Sequence, residues 1–237
     1  MAEIIIRQPV QIDDIRRFTP MGGTVTAGTV TGPMLMQEYC GTAVDATNKW
    51  TVTVGATGAV AVQSNPRHFR LNLPAAADTA RLNAQSVVNS PSNHVTTTHI
   101  WTKMTAEWVR QMGTLANIVN ATSFMGFATD PGNDTRATNG IIGFILASDV
   151  LNTITDSAGT ETLNVTSGLT LTNYNKYRIT INGSASPTVD FYVNDVLQFS
   201  HSTNIVTAAN CGLAFYFDAE VGATLARLLH CVWYYHN

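Results

Sequence analysis

VDFYVNDVLQFSH, residues 189–201, has the pattern of a two-stranded hairpin. Val189, Phe191 and Val193 alternate with Asp190, Tyr192 and Asn194, and a second apolar-rich run begins at Val196. Side chains two residues apart share a face of a strand, so one face of this segment is apolar and the other polar. Between the runs stands Asn194-Asp195, a pair that tolerates the positive φ angles of a two-residue hairpin turn. With Val189, Phe191 and Val193 facing a core, the hairpin is expected to supply two central strands of a sandwich.

Working outward, the same signal recurs. Strand patterns fall at residues 49–54, 58–63 and 67–73, then at 122–129, 140–146, 160–166, 176–182, 188–194, 196–201, 211–218 and 224–235. Gly, Asn, Asp and Pro stand at the joins. Short strands at this spacing indicate an all-β sandwich or barrel, and no fixed internal period suggests a solenoid or propeller. In TKMTAEWVRQMGTLANIV, Met104, Trp108, Met112 and Leu115 recur at helical spacing, and the residue types favour helix. The segment also alternates as Met104, Ala106, Trp108 and Arg110, and its strand-like surroundings favour a strand. The segment ATLARLLHCVWYYHN is apolar on both faces, as expected of a strand that lies centrally or is covered on both sides.

A chain of 237 residues can bury a sizeable core in one large all-β domain or two small ones. Charged residues make up 12%, about half the usual share, and Thr, Asn, Ser and Gly fill the deficit. The net charge of −3 and scattered basic residues give no footprint for nucleic acid. Cys40, Cys211 and Cys231 cannot all pair within one chain and have no zinc-clip spacing, so buried free thiols are expected. MAEIIIRQPVQ has an apolar run too short for a signal peptide, and no run reaches the length of a membrane span. Synthesis and folding in the cytoplasm without a signal peptide are therefore expected, with no membrane partner and with any exit from the cell by a route other than standard secretion.

Residues 1–33 differ from the rest. IIIRQPVQIDDIRRF is charged and partly apolar, and TPMGGTVTAGTVTGP between Pro20 and Pro33 reads as a linker or extended arm. Such a segment either docks on a partner, through Ile4, Ile5, Ile6, Ile12, Ile15 and Phe18, or forms an edge strand of the main domain. Residues 34–237 form that domain.

FMGFATDP (124–131), NGIIGFIL (139–146), NKYRITINGSASPTVDFYVNDVLQFSHSTNI (175–205) and CGLAFYFDAEVGATLARLLHCVWYY (211–235) follow in order. Together they resemble the concanavalin A-like lectin/glucanase jelly roll, in the form seen in virion structural proteins of tailed bacteriophages. The resemblance covers residues 120–237 well and 45–120 loosely. It departs from the pattern at Asp195, where Gly is usual. It implies an all-β, two-sheet antiparallel jelly-roll sandwich with an N-terminal arm. The function it implies is that of a virion structural protein: a capsid-decoration, head-fibre or tail-associated subunit, anchored by the arm to other virion proteins and homo-oligomeric, for instance a trimer. The alternative within the same fold is a carbohydrate-binding module or glycan hydrolase acting on a cell-surface glycan.

The residues supply little chemistry. Glucanases of this fold carry a Glu-x-Asp-x-(x)-Glu strand motif whose carboxylates act as a pair. Here the nearest approach is Phe217-Asp218-Ala219-Glu220, with Tyr216 where the first Glu would stand, and a solvated turn is the simpler reading. Asp130-Pro-Gly-Asn-Asp134 is a turn cluster whose oxygens could ligate calcium. The six histidines form no metal motif, and there is no nucleophile elbow and no phosphate loop. No catalytic residue, metal or cofactor is therefore assigned. Tyr174, Tyr177, Tyr192 and Tyr234 are candidates for stacking on a sugar, and each also fits a core or rim.

Overall fold

The computed structural model describes residues 24–26, 29–31, 34–38, 43–44, 50–64, 67–75, 79–84, 94–95, 104–112, 121–129, 140–147, 150–157, 159–183, 186–206, 211–219 and 224–235. Every regular element among them is a strand. They are β1 (Thr24–Thr26), β2 (Thr29–Thr31), β3 (Met34–Glu38), β4 (Trp50–Gly55), β5 (Ala59–Ser64) and β6 (Arg67–Leu73). Next come β7 (Thr79–Ala84), β8 (His94–Val95), β9 (Met104–Met112), β10 (Ala121–Ala128), β11 (Ile141–Ala147) and β12 (Val150–Asp156). The last six are β13 (Glu161–Val165), β14 (Asn175–Asn182), β15 (Thr188–Val193), β16 (Val196–His201), β17 (Cys211–Ala219) and β18 (Thr224–Tyr235).

Two eight-stranded antiparallel sheets stack face to face, the two-layer solution by which sheets bury their apolar faces. The first runs β13-β12-β11-β10-β17-β7-β4, with β8 also on β17. The second runs β16-β15-β14-β9-β18-β6-β5, with β3 also on β18. The chain passes between them after β3, β4, β6, β8, β9, β13, β16 and β17. The architecture is a jelly-roll β-sandwich.

Alternation fixes the core. β14 is buried at every second residue, so Tyr177, Ile179 and Ile181 point inward, and Val189, Phe191 and Val193 do the same from β15. Trp108 lies at the centre. It stacks on Tyr177 at 6.2 Å, meets Phe144 edge-on at 6.1 Å and points its indole N–H at the Met125 sulfur, 3.3 Å away. Phe144 also packs edge-on against Phe191 at 5.4 Å, so rings from both sheets interlock in the T-shaped geometry aromatic quadrupoles prefer. Arg110 is fully buried beside Tyr177. Burial lowers its guanidinium to about 10 and pushes the Tyr177 hydroxyl up to about 12.

The ambiguous segment is a strand, β9, despite its helical residue types. Pairing with β14 and β18 outweighs a local propensity of tenths of a kcal/mol per residue. β18 lies between β9 on one side and β6 and β3 on the other, as its two apolar faces indicate.

Other expectations need correction. The opening hairpin is not central: β16 is the edge of its sheet and β15 is second from the edge. Alternation reports which face a residue presents, not how many neighbours its strand has. Residues 24–31, read as linker, contain the β1–β2 hairpin, and β3, β7, β8 and β12 carry no strand assignment in the sequence reading. β12 is hidden because Thr153 and Thr155 read as polar while both are fully buried. Ile4, Ile5, Ile6, Ile12, Ile15 and Phe18 lie outside the described residues.

Candidate ligand-binding face

The outer face of the second sheet is polar where the first sheet's is not. From β14 it carries Lys176, Arg178, Thr180 and Asn182; from β15, Thr188, Asp190 and Tyr192; from β9, Thr105 and Glu107. Register places Glu107, Arg178 and Tyr192 in one row across three strands, with Leu197 of β16 next to Tyr192. In the adjoining row Thr105 and Thr180 share a 3.3 Å hydroxyl contact, and both oxygens of Asp190 accept hydrogen bonds, from Ser200 and Asn182.

The turn shapes one end of this face. Asn194 and Asp195 have φ of 50° and 65°, the left-handed pair that a tight hairpin turn requires. The Asn194 side chain locks the turn in place. Its carbonyl accepts the Lys176 N–H at 2.9 Å, and its amide donates to Asn175 Oδ1 at 2.9 Å. Asn175 in turn donates to the Thr170 and Asn173 carbonyls, tying the crossover loop to the hairpin. Between these anchors sits Tyr174. It is 41% exposed, so its ring is open to solvent.

Charge at this end is balanced. Lys176 Nζ lies 2.6 Å from Asp195 Oδ1 and 3.9 Å from Glu107 Oε2, and Arg178 is 3.8 Å from the same Asp195 oxygen. The hydrogen bond from Lys176, helped by the charges of Lys176 and Arg178, holds the Asp195 carboxyl below its usual range. The Arg178 guanidinium sits 4.1 Å over the Tyr192 ring, a cation–π contact that fixes both side chains. The arrangement offers an open aromatic ring beside pre-positioned amide, carboxylate and ammonium groups. Such a set can hydrogen-bond and stack on a polyhydroxylated ligand.

The structure separates the sequence candidates. Tyr177 is a core residue, Tyr192 lies on the outer face in the row of Arg178, and Tyr174 is exposed in the loop just before β14. Tyr234 lies in β18 opposite Thr105. Asp218 is in β17, opposite Thr79 and Thr122 and in the other sheet, while Glu220 and Asp130–Asp134 lie outside the described residues. Among the described residues no group of three or more His, Cys, Asp or Glu could hold a metal ion. The sequence reading did not single out Lys176, Arg178, Glu107 or Asp195 as a cluster. Alternating cations in NKYRI gave a hint, but Glu107 joins them only through the β9–β14 register.

No family model matches the chain, and no curated protein matches it in sequence. Among solved structures, the potassium-bound carbohydrate recognition domain of Emp46p superposes with a TM-score of 0.59 at 10% identity, covering 86% of this chain and 96% of that one. A legume lectin-like domain from Entamoeba histolytica gives 0.56 at 8% identity, covering 80% and 91%. The binding domain of botulinum neurotoxin serotype D gives 0.56 at 10% identity, and this chain spans about half of it, with 86% of this chain and 49% of that one covered. At such identities the likeness establishes the fold: a concanavalin A-like, lectin-type jelly roll.

Proposed function

We propose that this chain is a carbohydrate-recognition domain that binds a glycan without cleaving it, on the face around Tyr174, Lys176, Arg178, Tyr192 and Asp195. The observation that carries the reading is the near full-length superposition on the Emp46p carbohydrate recognition domain. The exposed Tyr174 ring, next in the chain to the Asn175 that braces Asn194, supports it. A ring of this kind presents its face to the C–H face of a sugar, and fixed polar groups bond the hydroxyls with little ordering cost. A glycan array followed by calorimetry on the full chain tests the reading. The expected result is saturable binding that falls at least tenfold in Tyr174→Ala with circular dichroism unchanged. Absence of saturable binding to any glycan sinks it. Non-cleavage is tested separately: hydrolysis of a bound glycan that is lost on Asp218→Asn and Glu220→Gln overturns it.

A virion setting is a second proposal, supported by the resemblance of residues 120–237 to tailed-phage structural proteins and by the charged N-terminal segment. In that setting the arm anchors the chain to capsid or tail subunits while the sandwich projects. Mass spectrometry on density-purified particles from the source culture decides it. Stoichiometric recovery is expected, and recovery only in the soluble fraction overturns it.

A further inference from the structure

We infer that β13 is a self-association edge, at which two copies of the chain join their first sheets through antiparallel β13–β13 pairing about a twofold axis at Leu163.

β13 ends its sheet, and among the described residues no strand pairs with its outer side. Its register with β12 runs without a shift from Glu161 to Val165. Thr166 N–H bonds the Leu151 carbonyl, and Ser157 and Thr160 bond each other, so the bonded pairs are those of even residues in this strand. The backbone N–H and C=O groups of Leu163 and Val165 therefore point off the sheet edge. Their side chains are also open: Leu163 is 40% and Val165 58% exposed, on the same face as buried Ile154 and exposed Val150.

Proteins usually guard such an edge with Lys, Pro or a bulge. The other sheet shows that protection on the same side of the sandwich, since β16 has a register shift at Phe191/Tyr192. β13 has none of these devices, its sequence being ETLNV.

The strand is also complementary to itself. Centring the pairing on Leu163 sets Leu163 against its twin and Val165 against residue 161 of the copy. Glu161 thus faces an apolar side chain rather than a second carboxylate, and the exposed leucine and valines are covered. Any other centre leaves outward groups unpaired. A five-residue edge buries less than the roughly 800 Å² per partner of a standard interface, so the dimer forms in a concentration-dependent way.

Sedimentation velocity of the full chain over rising concentration tests the inference. Monomer giving way to dimer is expected, with Leu163→Lys and Val165→Lys each holding the chain monomeric at unchanged melting temperature. Register is read by oxidation: Leu163→Cys gives a disulfide-linked dimer, whereas Glu161→Cys and the parent chain do not. A parent chain that stays monomeric at every concentration overturns the inference. So does a dimer that persists in both Lys variants.

Discussion

His201 and Thr155 are joined across the two sheets by a 3.0 Å hydrogen bond between Nδ1 and Oγ1. The Thr155 hydroxyl gives its own proton to the Thr203 carbonyl at 2.9 Å, so it accepts from the ring and Nδ1 carries the hydrogen. In the neutral ring Nε2 is then the acceptor, and the Thr153 hydroxyl turns its proton to it at 3.0 Å in preference to the Asn164 carbonyl at 3.4 Å. Thr203 and Asn204 both bond Thr162, which extends the seam to β13. This clasp closes the side of the sandwich where both sheets end.

The clasp predicts a pH dependence. Burial lowers the His201 pKa below its ordinary 6.5, so the neutral ring belongs to the folded state. As pH falls through 6.5 the unfolded chain takes up a proton that the folded chain refuses, and stability drops until the folded pKa is reached. Above neutrality the contribution is flat. Chemical denaturation between pH 7.5 and 5 checks this as a difference between the parent and His201→Gln, which cancels other titrating groups. The parent should lose more stability on acidification than the variant, and equal slopes would refute the assignment.

Gly126 and Gly143 face each other across β10 and β11. A Cβ at Gly126 would collide with the Ile142 carbonyl, and one at Gly143 with the Met125 carbonyl and the Phe124 ring that lies over it. Either Ala substitution should cost about 2–3 kcal/mol, the range of overpacking against backbone. Gly168 has a φ of +70° with open space around it, so Gly168→Ala should cost only about 1 kcal/mol. Urea denaturation of the three variants ranks them.

Trp108→Ala should destabilise by about 3–5 kcal/mol, because it empties a site bounded by Tyr177, Phe144 and Met125 that the two rigid sheets cannot close. Thermal unfolding followed at 218 nm measures the loss.

Asp195→Gly exchanges an ion pair for a residue at ease in the left-handed region. Salt screens the pair only in the parent, so the variant should gain on the parent in melting temperature as sodium chloride rises. A difference that does not change with salt would mean that the Lys176 contact contributes nothing to stability.

The residues whose roles are local were legible. Period-two alternation from Val189 to Val193 and from Asn175 to Asn182 reports faces, and the Asn194-Asp195 turn follows from backbone sterics alone. Thr153 and Thr155 were illegible because a hydroxyl looks like surface until His201 arrives from 46 residues away to bond it. Glu107 and Lys176 were equally hidden, being 3.9 Å apart in space and neighbours only by strand pairing.

The sequence by itself determined that this chain builds two-faced strands and tight turns, hence a sandwich with an apolar interior. Tertiary structure alone decided that, among the described residues, β13 and β16 end their sheets, that Glu107, Arg178 and Tyr192 share one row, and that a histidine clasps the two sheets. The physical reason is that ladder hydrogen bonds join backbone to backbone and do not depend on side-chain identity. Which strands become neighbours is settled by the packing of the whole core.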